Sequence, residues 1–423
     1  MTEMSEAGPA GGVRGTPRGS PGGSGPGAAA RVLGDVPLVD HHCHSLLATW
    51  RRTGGGPWPN WRRCFTEATR PASLARDAPG LLGYHHFLTA LAELLGVEAN
   101  PAVTAVAAEE LERQVVARRD DLAGADPGRY LRLLLDHAGT AALLVDTGFD
   151  RDRTLRPDEL ERAADRPVHE IVRLEAMAEE LLQPGSPTAR SLPRFLNGFE
   201  ERLGTTLERG AVALKSIAAY RGGLWLFTES GQADRRRAFS GMDKTAQAKR
   251  FDDPVLLPFL VRRAAELAAA RQVPLQFHTG FGDPDVYLPH ADPALLWPLL
   301  RDPRTEDCPV VLLHCYPYVG AAAYLAGTYP QVHMDLSLAI PLAEPIATNL
   351  VAEALGLCPP GKLLAASDGH SYPEMHWWGA TVWRRALARV LWAEVETGGL
   401  DDPAARAAAR RILATNATRL YRL

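Results

Sequence analysis

The sequence predicts an α/β fold, a (β/α)8 barrel of TIM type with helical insertions after its first and fourth strands. Short apolar runs alternate with long Ala-, Leu-, Arg- and Glu-rich stretches, the pattern of a parallel sheet covered by helices. Eight such runs can be counted. Polar residues able to bind a metal stand at or near the C-terminal ends of five of them, where barrel proteins gather their functional groups.

In chain order the runs are VPLVD (36–40), TAALLVDTG (140–148), HEIVRLE (169–175), GAVALKSI (210–217), VPLQFHTG (273–280), PVVLLHCY (309–316), QVHMDLS (331–337) and KLLAASDGH (362–370). Helical patterns such as DPVLLPFLVRRAAELAAARQ (253–272) lie between most of them. Two connections exceed a simple βα unit. Residues of about 45–139 and 218–272 are therefore expected to form helical lids over the barrel mouth, since loops of that length usually carry their own helices and cover a site. Residues 1–30, rich in Gly, Pro, Ala and Ser, are expected to be a disordered tail, leaving 31–423 as one barrel.

Composition narrows the classes of function. With 46% hydrophobic and 23% charged residues, the 423-residue chain can bury a large core, and a net charge of −4 leaves no basic surplus for nucleic acid or an anionic membrane. Its arginines are interleaved with acids, as in ERAADR and EELERQ, a pattern of solvated helix faces. No run approaches the roughly 18 apolar residues of a membrane span, and the first thirty lack the apolar core of a signal peptide. The cysteines, Cys43, Cys64, Cys308, Cys315 and Cys358, form no CxxC pair, so a reducing cytoplasm is expected. The expected partners are a small-molecule substrate and a second copy in a homodimer, not nucleic acid or membrane.

The segment LVDHHCHSLL carries the most chemical information. His42 and His44 are two residues apart, so on a strand both rings leave one face and can grip one ion, while Cys43 points away. Lys215, His278, His314 and Asp368 end later runs. Arg221 follows the fourth strand in AAYRGG and could clamp a carboxylate. Arg173 and Glu175 are expected to share one face of the third strand. Tyr220, Tyr316, His370 and Glu374 lie on segments leaving the mouth. The remaining histidines are read as structural, and Trp377 and Trp378 as packing or pocket wall.

This order resembles the amidohydrolase superfamily: HxH after strand one (His42, His44), Lys after strand four (Lys215), His after strands five and six (His278, His314) and Asp after strand eight (Asp368). A nearer likeness, in LKSIAAYRGGL, LQFHTGFGDPD, VVLLHCYPYVGAAAYLA, SDGHSYPE and ATNATRLYRL, is to the amidohydrolase-like domains that precede a glutamine-synthetase-like domain in plant nodulin and fungal fluG-type proteins. No glutamine-synthetase segment is seen, so ligase activity is not expected.

The resemblance implies one or two divalent ions, zinc first. His42, His44, His278 and Asp368 would hold one. A carbamylated Lys215 would bridge to a second that His314 also holds; the alternatives are Lys215 as a charge partner of Glu175 or Asp368, and His314 as a metal-free base. The implied reaction is hydrolysis of a carbon–nitrogen bond in a small carboxylate-bearing substrate, such as a γ-glutamyl amide, by metal-bound hydroxide. Asp368 would be its general base and acid, and His314 and Lys215 would assist. A decarboxylase and a non-catalytic binding domain are the alternative readings.

Overall fold

In the computed structural model the chain is described at residues 26–53, 59–68, 70, 76–98, 105–228, 240 and 250–423. The expected tail lies outside these residues up to position 25, as do parts of both insertions. Seven parallel strands form one sheet in sequential order: β1 (Leu38–Cys43), β2 (Thr140–Asp146), β3 (Val168–Arg173), β4 (Ala213–Ser216), β5 (Leu275–His278), β6 (Val310–Leu313) and β7 (Val332–Met334). All coincide with predicted runs.

The eighth run is not a regular strand. Residues 362–369 instead form a seam between β7 and β1. Met334 donates to the Lys362 carbonyl (3.1 Å) and Leu364 to Met334 (2.9 Å) on one side. On the other, Asp368 N–H donates to the His42 carbonyl (3.2 Å) and His44 N–H to Gly369 (2.8 Å). Between them the ladder is broken because the Asp40 carboxylate accepts from Ser367 N–H (2.9 Å) and Ser367 Oγ (2.5 Å). A side chain thus occupies the place of a main-chain partner.

β1 itself slips register against β2, with Asp40 opposite Leu143 but Cys43 opposite Val145. The extra residue resets the side-chain alternation. Val39 belongs to the interior barrel core and Cys43 to the outer one, and His41, His42 and His44 can all serve the interior.

The two cores match the two faces of a parallel sheet. The inner core joins Leu144, Ile171, Val311, Leu313 and Leu364 to Ala417 and Tyr421. Tyr421 belongs to the last helix, Asn416–Tyr421, and its hydroxyl lies 3.0 Å from His41 Nδ1 and 2.9 Å from Gln276 Nε2. Covering helices follow ordinary rules. Pro127–Ala138 starts with Asp126 capping Arg129 N–H, carries Pro at its first turn, and ends at Gly139 with φ 69°. Its buried face of Tyr130, Leu131, Leu134 and Leu135 packs on the long helix Pro373–Thr397.

The insertion after β1 contains the helices Leu82–Leu95 and Ala105–Ala125. It is tied to the barrel through a buried network in which Arg119 Nε (2.6 Å) and Tyr130 OH (2.8 Å) donate to Glu374 Oε1. Glu374 is thus in the first turn of Pro373–Thr397 and fully buried, not on a loop of the mouth. Trp377 and Trp378 pack against Phe87, the first tilted and the second edge-on. Cys43 and Cys315 are buried and turned to main-chain carbonyls of Leu144 and Leu312, as small apolar residues. No described helix is long and apolar enough to cross a membrane.

Candidate metal centre and its cavity

At the C-terminal strand ends lies a cavity of about 360 Å3. His44, Phe149, Arg173, Lys215, Tyr220, Arg221, His278, His314, Asp368 and His370 line it, with Arg63 and Glu67 from the first insertion and Asp283 from the loop after β5. Most of the residues singled out in the sequence therefore converge.

Among the described residues two groups have ligand atoms within 4.8 Å of one another, Asp40, Cys43 and His376, and, at the cavity, His42, His44 and Asp368. Asp368 Oδ1 stands 3.3 Å from His42 Nε2 and 3.4 Å from His44 Nε2. It is buried and accepts no hydrogen bond. An orphaned buried acceptor costs about 1–3 kcal/mol, more when charged, and a cation would remove that cost. Separations near 3.3 Å are also those of neighbouring ligands on a tetrahedral ion with bonds of about 2.0–2.1 Å. The donor set of imidazoles and a carboxylate fits zinc.

Electrostatics favour the ligating forms. Burial, followed by the neighbouring Lys215, pushes the His42 ring down to about 4, and burial drives His278 and His314 well below the ordinary histidine range. Each ring is thereby pushed toward the neutral imidazole that ligates a metal. Burial pushes the Asp368 carboxyl up, but His314, His42 and His44 outweigh it and hold it well below the usual range.

His278 and His314 stand one ring further out. Their rings are 4.5 Å apart, and His278 Nε2 lies 3.2 Å from the Phe281 carbonyl. His314 Nδ1 accepts from Leu338 N–H (3.2 Å), lies 2.8 Å from Ser337 Oγ, and is 3.9 Å from Asp368 Oδ2. A backbone donor on Nδ1 assigns the neutral ring its proton on Nε2. His314 and Cys315 have φ of 70° and 61°, and Asp368 has 49°. Left-handed backbone at non-glycine residues costs about 1–3 kcal/mol each and gathers at functional sites. Asp335 locks the first of these turns by accepting from His314 N–H (2.6 Å) and Ser337 N–H (3.2 Å). Gly280, φ 75°, must be glycine here, because a Cβ would sit 2.2 Å from the Tyr316 carbonyl.

Lys215 is buried, and its Nζ lies 3.1 Å from His42 Nε2. Burial lowers its pKa to about 8 despite Asp146, Asp368 and Asp335. It forms no ion pair with Glu175 or Asp368 among the described residues, so the charge-partner alternative is not what the geometry displays.

Three expectations need correction. Glu175 does not share a strand face with Arg173. It opens the helix Leu174–Leu181, and its Oε1 accepts from Ser216 Oγ (2.7 Å) and Ile217 N–H (3.0 Å), fastening β4 from behind the cavity. Arg173 lines the cavity but is spent on Asp146, at 2.5 Å. Tyr316 is turned to Phe281, ring to ring at 5.6 Å, and is not on the lining. Arg221 Nη2 reaches Glu179 at 3.2 Å, while its Nε is buried without a partner. Tyr220 stacks 4.2 Å from His278, and His370 lies 5.8 Å from Phe149.

Several site residues escaped sequence reading. Asp146 and Asp335 end apolar runs as Asp368 does, so the same signal could have found them. Ser337 ends the predicted run QVHMDLS, whereas Glu67, Phe149 and Asp283 come from loops without pattern.

Comparisons with known proteins bear on the family and the fold. Residues 235–423 match the amidohydrolase family, and the whole chain is 30% identical over 412 residues to Protein fluG of Emericella nidulans, covering 92% of this chain. The C-terminal part of the chain thus carries the amidohydrolase family's pattern, within a likeness that runs along most of the chain. The chain spans 46% of the length of that relative. Among solved structures, the chain is similar to a protein of Lactobacillus casei described as a metal-dependent hydrolase (29% identity, TM-score 0.78, covering 93% of this chain and 97% of the other). It also shares its fold with the uronate isomerase of Thermotoga maritima (17% identity, TM-score 0.63, covering 93% and 97%).

Proposed function

We propose that this chain is a metal-dependent hydrolase that cuts a carbon–nitrogen bond of amide type in a small carboxylate-bearing substrate, a γ-glutamyl amide first of all. One observation carries the reading: His42, His44 and the unpartnered Oδ1 of Asp368 gather beside a strand-end cavity that His44 and Asp368 line. Zinc held there, with His278 joining by exchanging its bond to the Phe281 carbonyl, would acidify a water and polarise a carbonyl.

The chain's own groups supply the rest. Asp368 Oδ2, the oxygen facing His314, is left to take a proton and return it to a leaving nitrogen. His314 offers an Nε2–H donor to the substrate, because Nδ1 is occupied by the Leu338 amide. Arg221 Nε is a buried donor for a carboxylate. Lys215, whose pKa burial lowers to about 8, would add carbon dioxide through its neutral-amine fraction to give a carbamate and a proton, and the carbamate oxygens could hold a second ion.

The same His314 donor favours one second reading, a decarboxylase that protonates carbon at this point. Product analysis separates the two. Metal-loaded protein incubated with γ-glutamyl anilide should release aniline, lose that activity to a chelator and regain it with zinc. Carbon dioxide from a carboxylate panel without any amine release would favour the decarboxylase instead.

The two long connections are proposed as lids because Arg63, Glu67, Tyr220 and Arg221 carry them into the cavity wall. Limited proteolysis with and without glutamate should show protection concentrated within about 45–139 and 218–272. Protection confined to the rest of the chain would remove the lid reading.

A further inference from the structure

A second group of ligand-type side chains is buried where β1 meets the helix Pro373–Thr397. Asp40, Cys43 and His376 are 0%, 0% and 2% exposed, and their ligand atoms lie within 4.8 Å of one another. None of the three lines the cavity. Two glycines let the helix and the seam come this close. A Cβ at Gly369 would sit 2.5 Å from His376 Cγ, and one at Gly379 would sit 2.4 Å from the Ser367 carbonyl.

Each member is short of a partner. Neither ring nitrogen of His376 has a hydrogen-bond partner among the described residues, although the ring faces the main chain of His44. An imidazole carries a donor and an acceptor, and burying both unmet is costly. Asp40 accepts from Ser367, but the charged side chain that bears on it is another acid, Asp368. Buried carboxylates are ordinarily paired with a cation or bound to a metal. Cys43 Sγ is held by a weak bond to the Leu144 carbonyl, at 3.4 Å. An ion among the three would answer all of them.

We propose that Asp40, Cys43 and His376 form a second metal site, structural in role, for a divalent ion of the zinc class. Thiolate, imidazole and carboxylate are all zinc ligands. A thiol packs as a small apolar group until an ion takes the place of its proton. On binding, the Sγ–H bond breaks, a sulfur–metal bond forms, and the proton passes to solvent. Asp40 keeps lone pairs beyond its bonds to Ser367, and the His44 carbonyl beside the His376 ring can fill a fourth position. Asp40 and Cys43 flank His42 in sequence. The ion would therefore brace the strand that presents His42 to the other centre and tie it to the covering helix.

Sulfur sets this site apart, because the centre of His42, His44 and Asp368 has none. Cobalt(II) bound to a thiolate gives a strong charge-transfer band in the near ultraviolet, which imidazole and carboxylate ligands do not. Protein produced in cobalt-supplemented medium should show that band. Cys43→Ser and His376→Gln should each remove it with the loss of about one ion per chain, an ion to be subtracted when those of the cavity centre are counted. Asp368→Asn, which empties the other centre, should keep the band. Circular dichroism should be unchanged in all three. Should a variant fail to fold, the band in the unaltered protein and in Asp368→Asn still decides. Cobalt-loaded protein without the band, or a band that survives Cys43→Ser, would overturn the site. The measurement reads the ion and not turnover, so its outcome is separate from that of the hydrolase reading.

Discussion

Asp368→Ala and Asp368→Asn should each abolish turnover and empty the centre of its ion while the barrel stays folded. Losing the proton-transfer group alone accounts for about 10²–10⁴ in rate. Loss of the carboxylate that faces both His42 Nε2 and His44 Nε2 adds to it. The seam should survive, since it is made by the main-chain amide of residue 368 and not by its carboxylate. Asparagine is the sharper test: it tolerates the left-handed φ of 49° as aspartate does, so any defect belongs to the lost charge. Turnover, elemental analysis and circular dichroism on the same preparations decide it. Near-normal turnover with a full complement of metal in either variant would end the assignment of this centre.

Lys215→Ala should lower metal content by about half if its carbamate bridges two ions. Short carboxylic acids with bicarbonate should then restore part of the activity. The structure sharpens the reason. Lys215 Nζ is 3.1 Å from His42 Nε2, the atom whose lone pair must face the ion. An ammonium there would oppose a divalent cation directly, so the side chain has to be neutral, modified or turned away when the centre is loaded. Burial, which brings its pKa down to about 8, favours the first two. Full metal retention in Lys215→Ala, with only substrate affinity reduced, would argue for one ion and a lysine that merely contacts substrate.

The strands and the order of the strand-end ligands were legible because both follow from periodicity: apolar runs mark buried strands, and a polar residue that ends one must face the mouth. The two-residue spacing of His42 and His44 stood for the same reason, and Cys43 turned outward as alternation requires. The slip in β1 was not legible, since it depends on Asp40 bonding to Ser367, a partner 327 positions away. That long-range bond also explains why KLLAASDGH became a seam instead of an eighth ladder. Glu175 was misplaced because β3 ends two residues before the predicted run does, which moves the residue from strand face to helix start. Tyr316 was misjudged because it follows two residues of left-handed backbone, where alternation no longer predicts direction. Glu67 and Asp283 carried no pattern at all. Only folding brings them to one wall.

The seam also fixes when the protein can become active during its synthesis. His42 and His44 leave the ribosome among the first folded residues, but Asp368 is added after every other strand. Until then the histidine pair has no carboxylate opposite it, β1 has no neighbour on its open side, and Tyr421 has not yet reached His41. A nascent chain therefore offers the cell's metal pool two imidazoles on an unfinished edge. Ion capture and closure of the barrel would therefore occur together, once the stretch from Asp368 to Tyr421 has been made.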